Sequence, residues 1–98
     1  MILKDGDGPS VETGDIVDVF YSGRLMNGFE FDNNLDEDDK PISFEVGNGE
    51  VIKAWDEAFV GLHQGTVGRI ITPPDYAYGD QDVGDGLIPP NSTLMFDF

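Results

Sequence analysis

The sequence predicts an α+β domain in which an antiparallel β-sheet packs against one short helix. Several segments alternate apolar and polar residues with a period of two, which is typical of half-buried strands. Only residues 50–62 have helical periodicity. Strands and helices do not alternate regularly, so a parallel sheet with crossover helices is not indicated. The 98 residues suffice for one domain, which we expect to span residues 1–98.

The first half of the chain predicts strands joined by turns. Residues 15–25 are predicted to form one continuous strand, and the Asn27-Gly28 pair after it is typical of a tight hairpin turn. The alternation resumes at Phe29 and Phe31, and a polar, acidic loop covers residues 33–40. A further strand begins at Pro41. Apolar side chains that share one face of their strand are Val17, Val19, Tyr21 and Leu25 in the first, and Ile42, Phe44 and Val46 in the second.

The second half begins with the predicted helix over residues 50–62, which Gly61 and Gly65 end. A strand is expected over residues 66–72, followed by a long loop rich in Gly, Pro and Asp over residues 73–90. The last strand, residues 93–98, should place Leu94, Phe96 and Phe98 inward. It stops within its alternating pattern, so we expect a shortened final strand and a chain that is part of a longer polypeptide.

The charge of the chain excludes some classes of function. Twenty acidic residues stand against five basic ones, for a net charge of −15. Nucleic acids and anionic membrane surfaces require clustered Lys or Arg, so neither is an expected partner. No apolar run approaches the ~20 residues of a membrane span. These features favour the cytoplasm or the nucleus, and a solvated acidic surface is favoured over recognition of basic partners.

Most catalytic and metal sites lack the residues that they need. The chain has no Cys, and its one histidine, His63, has no nucleophile near it in sequence. The segment from Asp80 to Gly86 resembles a calcium loop, but its third Asp is one position late and no Glu closes it. The acidic run 36–39 lacks the necessary Gly. We therefore predict no metal site and no cofactor, while a calcium-responsive acidic domain stays open as an alternative.

The aromatic residues are distributed over separate elements. Such residues can converge to line a concave site, or they can fill an ordinary core, and the pattern alone leaves both interpretations open. The residues in question are Tyr21, Phe31, Phe44, Trp55, Tyr78 and Phe96.

Several segments together resemble the FKBP-type peptidyl-prolyl cis-trans isomerases, in the order and spacing of that family. The resemblance covers about residues 6–98. It rests on Phe20-Tyr21-Ser22-Gly23-Arg24-Leu25 with Gly28 and Phe31-Asp32, on residues 47–55 (Gly-x-Gly-Glu-Val-Ile-Lys-Ala-Trp), on Pro74-Asp75-Tyr76-Ala77-Tyr78-Gly79, on Ile88-Pro89-Pro90-Asn91 and on Thr93-Leu94-x-Phe96-Asp97.

The resemblance implies a half-open, strongly twisted antiparallel sheet wrapped around one short α-helix, with a pocket between them whose floor is Trp55. It implies that the Ile52 N–H and the Tyr78 hydroxyl bind ligand carbonyls, and that Leu87 lies at the rim. Ile42 replaces an aromatic residue common in the family. Carried over by motif, the catalytic residues are Tyr21, Phe31, Asp32, Trp55, Tyr78 and Phe96, and the substrate- and ligand-binding residues are Ile42, Phe44, Glu50, Val51, Ile52, Leu87 and Ile88.

The activity implied is isomerisation of X-Pro bonds during protein folding, without metal or cofactor, by a monomer. The implied partners are proline-containing peptides and proteins, and macrolides of the rapamycin and tacrolimus type. An alternative is a binding or co-chaperone module of the same fold with weak or no catalysis. Complete pocket motifs favour the enzyme, since loss of Trp55, Tyr78 or Asp32 would have favoured the binding module.

Overall fold

A computed structural model describes residues 1–84 and 86–98. Its strands are β1 (Ile2–Lys4), β2 (Ile16–Val19), β3 (Ser22–Leu25), β4 (Glu30–Asn33), β5 (Ile42–Glu45), β6 (Val67–Thr72) and β7 (Leu94–Asp97). The helix α1 covers Lys53–Ala58, and a short 3-10 helix covers Pro74–Tyr76.

All strand pairs in the described chain are antiparallel. Five strands form one sheet in the order β1-β6-β7-β3-β4, and β2 pairs with β5 in a separate two-stranded sheet. The hairpin predicted at Asn27-Gly28 joins β3 to β4, with the Gly28 N–H donating to the carbonyl of Leu25 at 2.9 Å. The predicted α+β class is confirmed.

The prediction of one continuous strand over residues 15–25 is wrong. The chain forms β2 and β3 instead, and the two belong to different sheets. They separate at Phe20 and Tyr21, where the backbone of Tyr21 bonds Asn34: the Tyr21 N–H donates to Asn34 Oδ1 at 2.6 Å, and the Asn34 N–H donates to the Tyr21 carbonyl at 3.2 Å. A loop residue thus takes the hydrogen bonds that a strand neighbour would otherwise make.

The helix is shorter than predicted, with six residues in place of residues 50–62. Ile52 precedes it in an extended conformation, with φ −60° and ψ 152°. The side chain of Glu50 accepts a hydrogen bond from the Glu45 N–H at 3.0 Å, which holds residue 50 outside the helix. At the other end Gly61 has φ +87°, a conformation that favours glycine and redirects the chain.

Strand β1 was not predicted from the sequence. It has three residues, all exposed, and it pairs with β6 at the edge of the sheet. An edge strand this short has no buried face and therefore no detectable alternation. The prediction for the last strand is confirmed in its inward positions, since Leu94 and Phe96 are buried and Phe98 packs against the core.

The core combines side chains from both sheets, from α1 and from the loop before β7. Its buried members are Val19, Phe44, Val46, Trp55, Phe59, Ile88, Leu94 and Phe96. No helix in residues 1–84 and 86–98 is long and apolar enough to cross a membrane.

Candidate functional site

A pocket of about 210 Å³ opens where β4, β5 and β7 meet the segment that leads into α1. Because drug-sized pockets usually hold roughly 300–1,000 Å³, this one suits a group the size of a single residue. All of its lining residues are among those expected from the family resemblance. They are Tyr21, Phe31, Asp32, Ile42, Glu50, Val51, Ile52, Trp55, Tyr78 and Phe96.

Trp55 is the aromatic centre of the pocket and is only 4% exposed. Tyr21 and Phe96 meet its ring edge-to-face, with centroid distances of 5.0 and 5.3 Å. Phe59 contacts it at 5.5 Å, and Phe44 at 5.8 Å. Edge-to-face contacts of this kind are the favoured geometry for aromatic pairs. The indole N–H finds no hydrogen-bond partner in the described chain, so ring packing holds Trp55 in place.

Gly23 makes room for two of the pocket rings. It lies on β3, opposite Asp32 on β4 and opposite Phe96 on β7. A Cβ atom at this position would lie 2.7 Å from Cζ of Phe31 and 3.0 Å from Cε1 of Phe96. The absent side chain therefore lets Phe31 and Phe96 meet edge-to-face across the strand, at 5.8 Å.

Tyr21 and Asp32 are linked at the mouth of the pocket, where the Tyr21 hydroxyl donates a hydrogen bond to Oδ2 of Asp32. Asn34 holds the backbone of Tyr21, as described above, and its Nδ2 donates to the carbonyl of Val19 at 2.9 Å. Sequence reasoning did not single out Asn34. It lies in a polar loop without periodicity, and its bonds to β2 and Tyr21 are visible only in three dimensions.

The two tyrosines of the pocket, Tyr21 and Tyr78, have raised pKa values. Burial, followed by the hydrogen bond to Asp32 and the charge of Asp32, raises the pKa of Tyr21 well above its ordinary value. Burial, followed by the charge of Asp32, likewise raises the pKa of Tyr78. Both hydroxyls therefore remain neutral hydrogen-bond donors at physiological pH.

The turn before α1 is built around Asp56, which accepts hydrogen bonds from the Gly47 N–H at 2.9 Å and the Gly49 N–H at 3.0 Å. Gly47 and Gly49 have φ of +86° and +72°, so both positions favour glycine. This turn brings Ile52 to the pocket wall. In the described chain, neither the Ile52 N–H nor the Tyr78 hydroxyl donates a hydrogen bond, so both donors are available to a ligand.

Three residues that the resemblance assigned to the site lie elsewhere among the described residues. Phe44 is 3% exposed and packs behind Trp55 in the core, so it supports the indole and does not form a wall. Ile88 is also buried in the core. Leu87 is 40% exposed and does not line the pocket. Neighbours in the sequence thus have opposite surroundings, because the bridge between Val83 and Ile88 turns Ile88 inward.

A larger cavity, of about 620 Å³, lies at the other end of α1, between β2, Phe59 and the segment 62–67. None of the site residues that the resemblance implies lines it, and the Phe, Tyr and Trp side chains of the described chain that border it are Phe20, Phe59 and Phe98. We therefore place the candidate site in the smaller aromatic pocket.

In residues 1–84 and 86–98, no three His, Asp or Glu side chains are grouped so that they could hold a metal ion. Asp85, part of the segment that resembles a calcium loop, lies outside the described residues. His63 is exposed, and its Nδ1 lies 2.9 Å from the carbonyl oxygen of Gly8.

Comparison with known proteins identifies one family. The family model of FKBP-type peptidyl-prolyl cis-trans isomerase matches residues 8–98. Peptidyl-prolyl cis-trans isomerase Fkbp12 of Drosophila melanogaster is 46% identical over 96 residues, which cover 97% of this chain and 87% of that protein. FK506-binding protein 1 of Saccharomyces cerevisiae is 44% identical over 96 residues, covering 97% of this chain and 82% of that protein.

Solved structures show the same fold. The crystal structure of AtFKBP13 superposes with a TM-score of 0.89 at 36% identity, covering 99% of this chain and 85% of that one. The crystal structure of the three FKBP domains of wheat FKBP73 gives a TM-score of 0.89 at 30% identity, covering 98% of this chain and 41% of that one. The half-open FKBP-like fold expected from the motifs is confirmed. Sequence, fold and family match agree, and the chain belongs to the FKBP-type peptidyl-prolyl cis-trans isomerases.

Proposed function

We propose that this chain accelerates the rotation of X-Pro peptide bonds in peptides and unfolded proteins by stabilising a twisted amide inside the aromatic pocket. The observation that carries the proposal is the arrangement around Trp55. A buried indole lies beneath a cavity of single-residue size, and two hydrogen-bond donors without partners in the described chain, the Ile52 N–H and the Tyr78 hydroxyl, border that cavity.

The reaction requires no nucleophile, base or metal. An X-Pro bond interconverts slowly because rotation breaks amide resonance, with a barrier of ~18–20 kcal/mol. No covalent bond forms and no proton has to move. A pocket of aromatic rings and hydrogen-bond donors is therefore chemically sufficient.

The apolar lining favours the transition state over the planar amide. The twisted amide has a less polar carbonyl and a more pyramidal nitrogen than the planar form. It therefore loses less hydration free energy when it moves from water into the pocket. Catalysis follows because the pocket stabilises the twisted state more than the ground state. In this proposal the prolyl ring packs on Trp55, flanked by Tyr21 and Phe96.

The donors hold the substrate in register. The Ile52 N–H and the Tyr78 hydroxyl donate hydrogen bonds to carbonyl oxygens on either side of the rotating bond. These bonds hold the substrate in an orientation that favours the twisted amide over the planar one. An acceleration of about 10⁴-fold needs differential stabilisation on the order of 5.5 kcal/mol. Ring packing and two hydrogen bonds can supply this between them.

Tyr21 and Asp32 act as positioning residues. Their hydrogen bond fixes the edge of the Tyr21 ring against Trp55 and keeps the Asp32 carboxylate at the pocket mouth. The bond also leaves the second oxygen of Asp32 free to accept from a ligand.

Macrolides of the rapamycin and tacrolimus type should bind in the same pocket, with their prolyl-like ring over Trp55. The support is the family membership of the chain and the name of its yeast relative, FK506-binding protein 1. Ile42 lines one wall as an aliphatic side chain, so this wall offers no aromatic ring to the ligand.

The decisive experiment is a protease-coupled assay on a chromogenic peptide with one X-Pro bond. Accelerated cis-to-trans conversion that falls when tacrolimus is added supports the proposal. Trp55 is the only tryptophan, so its fluorescence reports binding independently of catalysis. Fluorescence that responds to tacrolimus without any catalysis would identify a binding module instead. Absence of both signals would overturn the site assignment.

A further inference from the structure

The pocket has carboxylates at its edge that no cation neutralises. Asp32 and Glu50 both line it. Asp32 accepts from the Tyr21 hydroxyl, and Glu50 accepts from the Glu45 N–H at 3.0 Å and from Asn48 Nδ2 at 3.1 Å. These donors are neutral, and in the described chain neither carboxylate forms a salt bridge. Neither carboxylate is therefore paired with a cationic side chain of the described chain at the pocket.

None of the five basic residues forms a salt bridge with Asp32 or Glu50 in the described chain. Arg24 and Arg69 form the two salt bridges of the described chain, each with a carboxylate of the large sheet. The ammonium group of Lys53 lies 5.1 Å from the centroid of the Tyr76 ring. Lys40 is exposed and follows directly after four acidic residues, and Lys4 lies on the edge strand β1. The negative charge at the pocket thus remains largely uncompensated.

Further negative charge follows closely in the sequence after residues that line the pocket. Residues 36–39, all acidic and exposed, lie on the loop that connects Asp32 to Ile42, and both of these residues line the pocket. Asn34 fixes the start of that loop to the pocket wall through Tyr21. We call residues 36–39 the acidic loop. The exposed Asp80 and Asp82 follow closely after Tyr78, which also lines the pocket.

We propose that this pocket selects X-Pro segments that carry Lys or Arg within a few residues of the proline. The inference rests on the proposed isomerase function and names the substrate class for the same site. A cleft lined by one sign of charge focuses its field and can raise the encounter rate of oppositely charged partners by roughly 10–10³-fold. Peptides with Asp or Glu near the proline are repelled by the same field.

The negative charge at the pocket should affect substrate binding and not the rotation of the peptide bond. Rotation of the amide moves no net charge, so kcat should be similar for basic, neutral and acidic peptides. The difference should appear in KM, and therefore in kcat/KM. Salt should remove the preference, because the Debye length falls from ~30 Å at 0.01 M to ~3 Å at 1 M.

The first test compares three X-Pro peptides that differ only in the residue two positions before the proline: Lys, Gln or Glu. At 0.01 M salt we expect kcat/KM for the Lys peptide to exceed that for the Glu peptide by about tenfold or more. At 1 M salt the two values should converge towards that of the Gln peptide, which also corrects for general effects of salt. Equal values for all three peptides at low salt would overturn the proposal.

The second test neutralises part of the acidic loop with the triple variant D36N/E37Q/D38N. These three side chains make no hydrogen bond in the described chain, whereas Asp39 accepts from the Asp36 N–H at 3.1 Å and is therefore retained. We expect at least half of the Lys preference to disappear, with activity on the Gln peptide unchanged.

A matched control is D5N/D7N/E12Q, which removes the same amount of charge from another part of the surface. Residues 5–12 pack against the segment 62–66, at the opposite end of α1 from the pocket. This variant should keep most of the preference. If both triple variants reduce it equally, net charge alone is responsible and the local assignment to the acidic loop fails.

The outcomes separate this inference from the proposed function. Loss of activity on all three peptides would count against the isomerase proposal. Normal activity on the Gln peptide with identical responses of the Lys and Glu peptides to salt would leave the isomerase intact and refute only the charge selectivity.

Discussion

The hydroxyl of Tyr21 donates a hydrogen bond to the carboxylate of Asp32, and this pair joins the strand junction after β2 to strand β4 at the mouth of the pocket. A second hydrogen bond links the same two segments. The Tyr21 N–H donates at 2.6 Å to Oδ1 of Asn34, which lies two positions after Asp32. The Tyr21 ring is thereby fixed at both ends against Trp55. The geometry of the site and its response to alkali both follow from this arrangement.

The free energy of unfolding should decrease above about pH 10, where tyrosines in the unfolded chain ionise. Burial and Asp32 raise the pKa of Tyr21 in the folded protein, so the folded state retains a proton that the unfolded state releases. The contribution is fully present below the unfolded pKa and is lost as pH rises towards the folded one. Urea denaturation at a series of pH values between 8 and 11 would measure it.

The matched variants for this measurement are Tyr21→Phe and Tyr76→Phe. Tyr21→Phe should show a shallower alkaline loss of stability than the parent, because the titrating hydroxyl is gone. Tyr76 is 38% exposed and does not line the pocket, so Tyr76→Phe controls for the loss of a phenolic hydroxyl that does not bond Asp32. Identical profiles for the parent and Tyr21→Phe would contradict the assigned cause.

Trp55→Leu should lower kcat/KM strongly while the protein stays folded, because it removes the flat surface on which the prolyl ring packs. Trp55→Ala should in addition lower stability, since replacing a buried Trp by Ala typically costs ~3–5 kcal/mol. The protease-coupled assay and thermal unfolding measure the two effects. A Leu variant as active as the parent would show that catalysis does not take place over Trp55.

Gly23→Ala should impair the pocket, because the new methyl group would meet Phe31 and Phe96 at 3.0 Å or less. Overpacking of this kind costs roughly 1–3 kcal/mol and displaces the rings. We expect both lower stability and a raised KM. Gly68→Ala is the control, since its Cβ would meet the Met1 carbonyl oxygen at 2.8 Å and Phe98 at 2.9 Å, away from the pocket. It should lose stability with KM unchanged.

Tyr78→Phe should reduce kcat/KM while stability changes little, because the hydroxyl makes no hydrogen bond within the described chain. A hydrogen bond contributes about 0.5–1.5 kcal/mol, so the expected loss is roughly two- to tenfold. Comparing kinetics with the thermal midpoint checks both halves of this expectation. Unchanged kinetics would mean that the Tyr78 hydroxyl does not contact the substrate.

Thermal stability should rise with added salt, because the net charge of −15 makes the compact state repel itself. Screening shortens the range of that repulsion, from ~10 Å at 0.1 M to ~3 Å at 1 M. Scanning calorimetry in sodium chloride tests the expectation. Parallel scans in sucrose, which also stabilises proteins but carries no charge, separate screening from general exclusion effects. A melting temperature that does not respond to chloride would refute self-repulsion.

The sequence by itself determined the fold class, the hairpin at Asn27-Gly28, the inward positions of the last strand and the family. These features are encoded locally, in periodicity, turn chemistry and motif order. They can therefore be predicted without knowledge of the contacts between residues that are distant in the sequence. The family resemblance also identified every residue that lines the pocket, although periodicity alone left Trp55 and its neighbours as either core or site.

The tertiary structure alone decided where the predicted strand breaks into β2 and β3, and which aromatic side chains line the pocket. The break between β2 and β3 depends on Asn34, which is thirteen residues from Tyr21 in the sequence and donates to its carbonyl only once the loop folds back. Phe44 and Tyr21 have the same alternating pattern, yet one supports Trp55 from behind and the other lines the cavity. Strand periodicity specifies which face of a strand a side chain occupies, but the packing of the sheet on the helix determines whether that face is core or cleft.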